Sequence, residues 1–91
     1  MNNLFEAINT KLSEAELPYN NYEIIFPFSP SAPTHLPVML MKNKVTEIVF
    51  ETRISLETFK DAATLPNDEF EKLVDECVME IGFIVERYEM R

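Results

Sequence analysis

The chain has one glycine, Gly82, and its position constrains the fold more than any other residue. Glycine enters φ > 0 without steric penalty and is the preferred residue just past a helix end. Before it, residues 68–81 carry apolar side chains at helical spacing, and Phe70, Leu73, Val74, Cys77 and Ile81 form one continuous stripe. After it comes Phe83-Ile84-Val85-Glu86-Arg87-Tyr88, rich in β-branched and aromatic residues. This arrangement predicts a helix that stops at Gly82 and feeds a last strand over residues 83–90. The alternative carries the helix through Gly82 to Tyr88, with Ile84, Val85 and Tyr88 extending the stripe. An internal glycine costs a helix only about 1 kcal/mol.

Upstream, Asn3 can cap a first helix, with Glu6 three residues on as the partner of a capping box. Leu4, Phe5, Ile8, Leu12 and Ala15 recur at spacings of three or four, and Leu17-Pro18 ends the pattern. Residues 22–28 alternate as a strand, with Tyr22, Ile24, Phe26 and Phe28 on one face. Pro27 makes it an edge strand or interrupts it. Residues 28–37, holding Pro30, Pro33 and Pro37, read as a stiff extended loop. A hairpin follows: residues 38–41, a turn near Lys42-Asn43-Lys44, and a second arm to Arg53 with Thr46, Ile48, Phe50, Thr52 and Ile54 on the core face. Ser55 can cap a short helix over residues 56–63, facing the core through Leu56 and Phe59. Leu65-Pro66 breaks it, and Asn67 or Asp68 caps the next. The expected fold class is therefore α+β: an antiparallel sheet of three to four strands packed with helices, in the order α-β-β-β-α(broken)-β.

A length of 91 residues implies a single domain over residues 1–91. Such a chain buries roughly 60–65% of its unfolded surface, so its core is modest. No run of about 18 apolar residues is present, hence no membrane span is expected. The N-terminus lacks the basic and apolar regions of a signal peptide. The single cysteine excludes an internal disulfide, and a cytoplasmic setting fits. The net charge is −8. Residues 1–54 hold four basic and six acidic side chains, a net of −2, and residues 55–91 hold four and ten, a net of −6. Direct nucleic-acid binding needs clustered Lys and Arg and is not expected, whereas a basic protein partner suits this charge.

Catalysis needs a nucleophile, a base and a group that orients them. The chain offers one cysteine and one histidine. Cys77 falls in the apolar stripe of an acidic helix, where burial and carboxylates both raise a thiol pKa, so it reads as a small buried hydrophobe. His35 lies in the proline-rich loop. A structural zinc site needs about four Cys or His ligands, and one glycine cannot build a phosphate-binding loop. No enzyme, cofactor or metal site is expected. A thiol or hydrolytic enzyme using Cys77 and His35 is the reading that rapid alkylation of Cys77 would revive.

Three surfaces remain as candidates for partner binding. The proline-rich loop offers Phe28, Pro30, Pro33, His35 and Leu36 on stiff backbone that loses little entropy on binding. The last helix carries Asp68, Glu71 and Asp75 on one row and Glu69, Glu76 and Glu80 on neighbouring rows, an acidic face for a basic partner. The non-core face of the sheet, through Ile25, Met39, Met41, Val45 and Val49, is either covered by the chain's own helices or pairs with a second copy as a homodimer. The leading expectation is a non-enzymatic cytoplasmic module that binds another protein. The alternative is an acidic inhibitor that fills the basic nucleic-acid-binding cleft of a partner, as a DNA mimic. In style the chain is similar to small bacterial and phage proteins, a likeness that covers no motif.

Overall fold

A computed structural model of the protein describes residues 3–30 and 37–90, and of residues 26, 27, 29 and 30 it describes the backbone. Helix α1 (Leu4–Glu14) is followed by a short 3-10 turn (Tyr19–Asn21), strands β1 (Tyr22–Pro30), β2 (Pro37–Asn43) and β3 (Val49–Ser55), and helices α2 (Leu56–Ala62) and α3 (Asn67–Glu89). The strands form one antiparallel sheet in the order β1-β2-β3. The α+β class and the three-stranded sheet are as the sequence predicts.

Residues 83–90 differ. They are not a strand: α3 runs through Gly82 for 23 residues, about 34 Å. The stripe Val74, Cys77, Ile81, Val85 stays buried along the whole helix. Its far end is held to the sheet by Tyr88, which stacks on Phe50 at 4.2 Å between ring centres, and Phe50 in turn meets Tyr22 edge-on at 6.2 Å. Burial of that stripe outweighs both the local strand propensity of Phe83-Ile84-Val85 and the cost of one glycine. Phe83 consequently points away from the core and is exposed.

Capping chemistry sets the other helix ends. The Asn3 side chain accepts from the Glu6 amide at 3.1 Å, and Ser55 Oγ accepts from the Thr58 amide at 3.2 Å. Neither Asn67 nor Asp68 caps α3; the helix starts behind Pro66, whose carbonyl accepts from the Phe70 amide at 2.8 Å. In α2 it is Ala62 that is fully buried, with Phe59 half-buried and edge-on to Phe28 at 5.3 Å.

Pro27 has the two consequences expected of it: β1 is an edge strand, and its register to β2 shifts between Ile25 and Ser29. The exposed edge of β1 is tied down by Asn9 on α1. Asn9 Oδ1 accepts from the Ile24 amide at 2.9 Å, and its Nδ2 donates to the Ile24 carbonyl at 3.2 Å. The side chain thus acts as a one-residue strand partner. The hairpin turn lies later than predicted, over Lys44, Val45 and Thr46, with β3 beginning at Val49. Asn43 builds it through its side chain, Oδ1 accepting from the Val45 and Thr46 amides, while Glu47 takes the left-handed conformation at φ 63°.

The core is one layer between sheet and helices. Leu4, Ile8 and Leu12 from α1, Ala62 from α2 and the α3 stripe meet Tyr22, Ile24, Met39, Met41 and Ile54 from the sheet. Thr52 is buried among them, with Oγ1 donating to the Met39 carbonyl at 2.7 Å where the β2–β3 register slips. All three helices therefore lie on the same face of the sheet. The expectation that the helices cover both faces is not met. The outer face carries Ile25, Leu40 and Val49 interleaved with charge, including Glu23 directly opposite Lys42 and Glu51 opposite Leu40.

Candidate functional site

The two long helices create the candidate site. With α1 and α3 running side by side over the sheet, the seam between them opens into two consecutive grooves that share Ala15. The first runs along the whole of α1 and the first half of α3, has a volume of about 1000 Å³ and is of mixed polarity, with Ala7, Phe70 and Val74 beside Glu6, Glu14, Glu71 and Asp75 and a single cation, Lys11. Lys11 Nζ reaches Asp75 Oδ1 at 3.9 Å, and both side chains are more than half exposed, so this pair holds the helices together only weakly. Among the described residues no group of three or more His, Cys, Asp or Glu side chains is arranged to hold a metal ion.

The second groove is smaller, about 290 Å³, and apolar. Leu12, Ala15 and Tyr19 form one wall, Val78, Met79 and Phe83 the other, and Gly82 lies between them. Met79 and Phe83 are one helical turn apart and are 62% and 61% exposed, so they stand together as an oily crest on α3. Tyr19 is fixed by a hydrogen bond from its hydroxyl to Glu86 Oε1 at 2.8 Å. That bond, with some burial and the charges of Glu86 and Glu16, raises the Tyr19 pKa. Glu16 and Glu86 thus both lie at the Tyr19 end of the groove. Helical spacing of 100° per residue puts Asp75 and Glu86 on one flank of the crest and Glu76 and Glu80 on the other.

The predicted site residues distribute as follows. Pro33, His35 and Leu36 lie outside the described residues. Phe28 is half-buried against Phe59, and Pro30 belongs to β1, paired with Pro37, rather than to a loop. Of the acidic residues, Glu71 and Asp75 line the larger groove, while Asp68, Glu69 and Glu76 are exposed elsewhere on α3 and Glu80 is half-buried near Cys77. The proposed dimer face divides. Met39 and Met41 are wholly buried in the protein's own core, Ile25 is half-buried, Val45 sits exposed in the hairpin turn and Val49 is exposed on β3. The methionines belong to the core because Met41 lies opposite Ile24 and Phe50, and Met39, two residues along the strand, shares its face, one residue out of phase with Leu40. Met79, Gly82 and Phe83 were not legible as a site, because reading residues 83–90 as a strand separates Phe83 from the helix that aligns it with Met79. The i, i+4 spacing opposite the core stripe is the signal that marks them.

Cys77 is buried, and burial, reinforced by Glu80 and Glu76, pushes its thiol up to about 11. A thiol in that state is a poor nucleophile at neutral pH. Cys77 should resist alkylation at pH 8 in the native protein and react at once in denaturant, as mass spectrometry would report; equal rates in both would contradict its burial. Because the folded-state pKa is raised, the unfolded thiol loses its proton first. This stabilisation is complete below about pH 9 and lost as pH rises towards about 11. The raised Tyr19 and Tyr22 hydroxyls act in the same direction.

Compared with known proteins, the chain matches no family model, no curated protein and no solved structure. Among the described residues no helix is long and apolar enough to cross a membrane.

Proposed function

We propose that this protein acts without chemistry of its own, by binding another protein along the α1–α3 seam. The observation that carries this reading is the apolar groove beside the exposed Met79–Phe83 pair. A side chain such as Phe83, largely in water and aligned with a second large apolar residue over an apolar cleft, is the composition of an interface centre rather than of an ordinary solvated helix face. The buried thiol of Cys77 agrees with a binding role, and a free cysteine suits a cytoplasmic setting.

The alternative of an acidic inhibitor in a basic nucleic-acid-binding cleft draws on the same helix. It is less favoured, since Met79 and Phe83 interrupt the carboxylates where a phosphate-like row would have to be continuous.

Phe83→Glu should leave stability within about 0.5 kcal/mol of wild type, because the position is exposed. It should weaken capture of the native partner by about tenfold or more, as expected for loss of an aromatic anchor. Leu40→Lys, on the outer sheet face, should leave capture unchanged. Equal capture by wild type and Phe83→Glu at matched concentration would remove the seam from consideration.

A further inference from the structure

Gly82 has no duty in the fold. It lies inside a regular helix, and no glycine in the chain has positive φ. A Cβ at this position would meet only Tyr19 Cε1, at 3.9 Å, an ordinary van der Waals contact. Most residues would form a stronger helix there. What the glycine does change is the groove: it leaves the space between Tyr19 and Val78 deeper than any side chain would. Residues that break a local rule without a structural need are expected at functional positions.

The surroundings specify what fills that space. The apolar opening has Glu86 in its lining, Asp75 lies on the same flank of the Met79–Phe83 crest, and Glu76 and Glu80, with Arg87 between them, lie on the crest's far flank, while the one cation of α1, Lys11, is already drawn to Asp75. The seam follows residues 67–86 of α3 and is therefore unbroken for about 28 Å. We propose that the seam receives a basic amphipathic helix of a partner protein, with an aliphatic side chain seated over Gly82 and Lys or Arg residues reaching the carboxylates on both flanks. This rests on the reading of the seam as the docking face. A helix in a groove supplies apolar anchors at one-turn spacing, which matches the spacing of Met79 and Phe83. Charge complementarity selects a basic one: an acidic helix is repelled, and so is a second copy of a chain with net charge −8.

The test is an NMR titration of the isotopically labelled full chain with a synthetic Leu/Lys amphipathic peptide of about 18 residues, against its Leu/Glu and Leu/Gln counterparts. The expected result is saturable binding of the Leu/Lys peptide with amide shifts centred on Ala15, Tyr19, Val78, Gly82 and Phe83. Gly82→Leu should weaken it by at least about tenfold by filling the seat, and Gly82→Ala, which keeps the helix intact, by a smaller factor. Leu/Lys binding that ignores both Gly82 variants, or whose shifts scatter over the outer sheet face, would reduce it to charge adsorption and overturn the inference. Equal binding of the Leu/Gln or Leu/Glu peptide in the groove would overturn the basic partner and leave the docking face standing. Shifts at Gly82 and Phe83 on simple dilution, with a dimer in sedimentation, would make a second copy the occupant and overturn it likewise. If no peptide moves these residues and Phe83→Glu also captures its partner normally, the inference and the docking face fall together.

Discussion

Replacing Gly82 by proline lowers stability by about 3 kcal/mol or more, while replacing it by alanine raises stability by up to about 1 kcal/mol. Proline at position 82 removes the amide that donates to the Val78 carbonyl inside α3 and sets its ring against that carbonyl. The damage falls in the middle of the helix that supplies Val74, Cys77, Ile81 and Val85 to the core, so both halves of the layer lose their alignment. A domain of this size holds on the order of 5–14 kcal/mol in total, so the proline variant forfeits a large share. Alanine acts oppositely. Its Cβ meets Tyr19 Cε1 at 3.9 Å without conflict, and it restricts the unfolded chain more than glycine does. The sign of the alanine effect separates the two ways of reading this residue. A glycine that terminates a helix with positive φ is destabilised by alanine, and a glycine inside a helix is stabilised by it. Urea unfolding of the wild type and both variants, with unchanged m-values, measures the two shifts; a destabilising alanine would mean that the helix stops at Gly82.

The contrast shows what local sequence can and cannot express here. Asn3 and Ser55 were legible as caps because the cap hydrogen bond closes within three residues of the capping side chain. The edge position of β1 was legible because Pro27 lacks an amide, whatever else surrounds it. The fate of residues 83–90 depended instead on Phe50 and Tyr22, each more than thirty residues away, which give Tyr88 an aromatic surface to stack on. Asn9 was equally opaque: nothing near it in sequence announces that its amide will pair with the backbone of Ile24. The apolar groove inherits this difficulty, because it exists only where α1 and the second half of α3 run side by side. The acidic character of α3 was plain from composition, but its division into two flanks around Met79 and Phe83 needed the continuous helix first.

Met39→Asp abolishes folding at room temperature, and Met39→Leu and Leu40→Lys do not. Met39 is wholly excluded from water on the core face, beside Thr52 and in one cluster with Ile24 and Met41. A carboxyl placed there has no cation to meet among the core residues. Desolvation forces it to take up a proton or to open the layer, at a cost of about 3–5 kcal/mol or more beyond the lost packing of the methionine. Leucine keeps the volume and polarity of the site and should cost less than about 1.5 kcal/mol. One residue along, the strand turns its other face. Leu40 lies half-exposed opposite Glu51, so a lysine there keeps its ammonium in water, gains a cross-strand carboxylate and loses about 1 kcal/mol at most in apolar contact. The three variants therefore report the phase of β2 directly, because a shift of one residue would exchange the two outcomes. They also separate a core role for the methionines from a role between two copies of the chain. In a dimer face, Met39→Asp would yield a folded monomer by sedimentation and circular dichroism; as a core residue it yields an unfolded chain at every concentration.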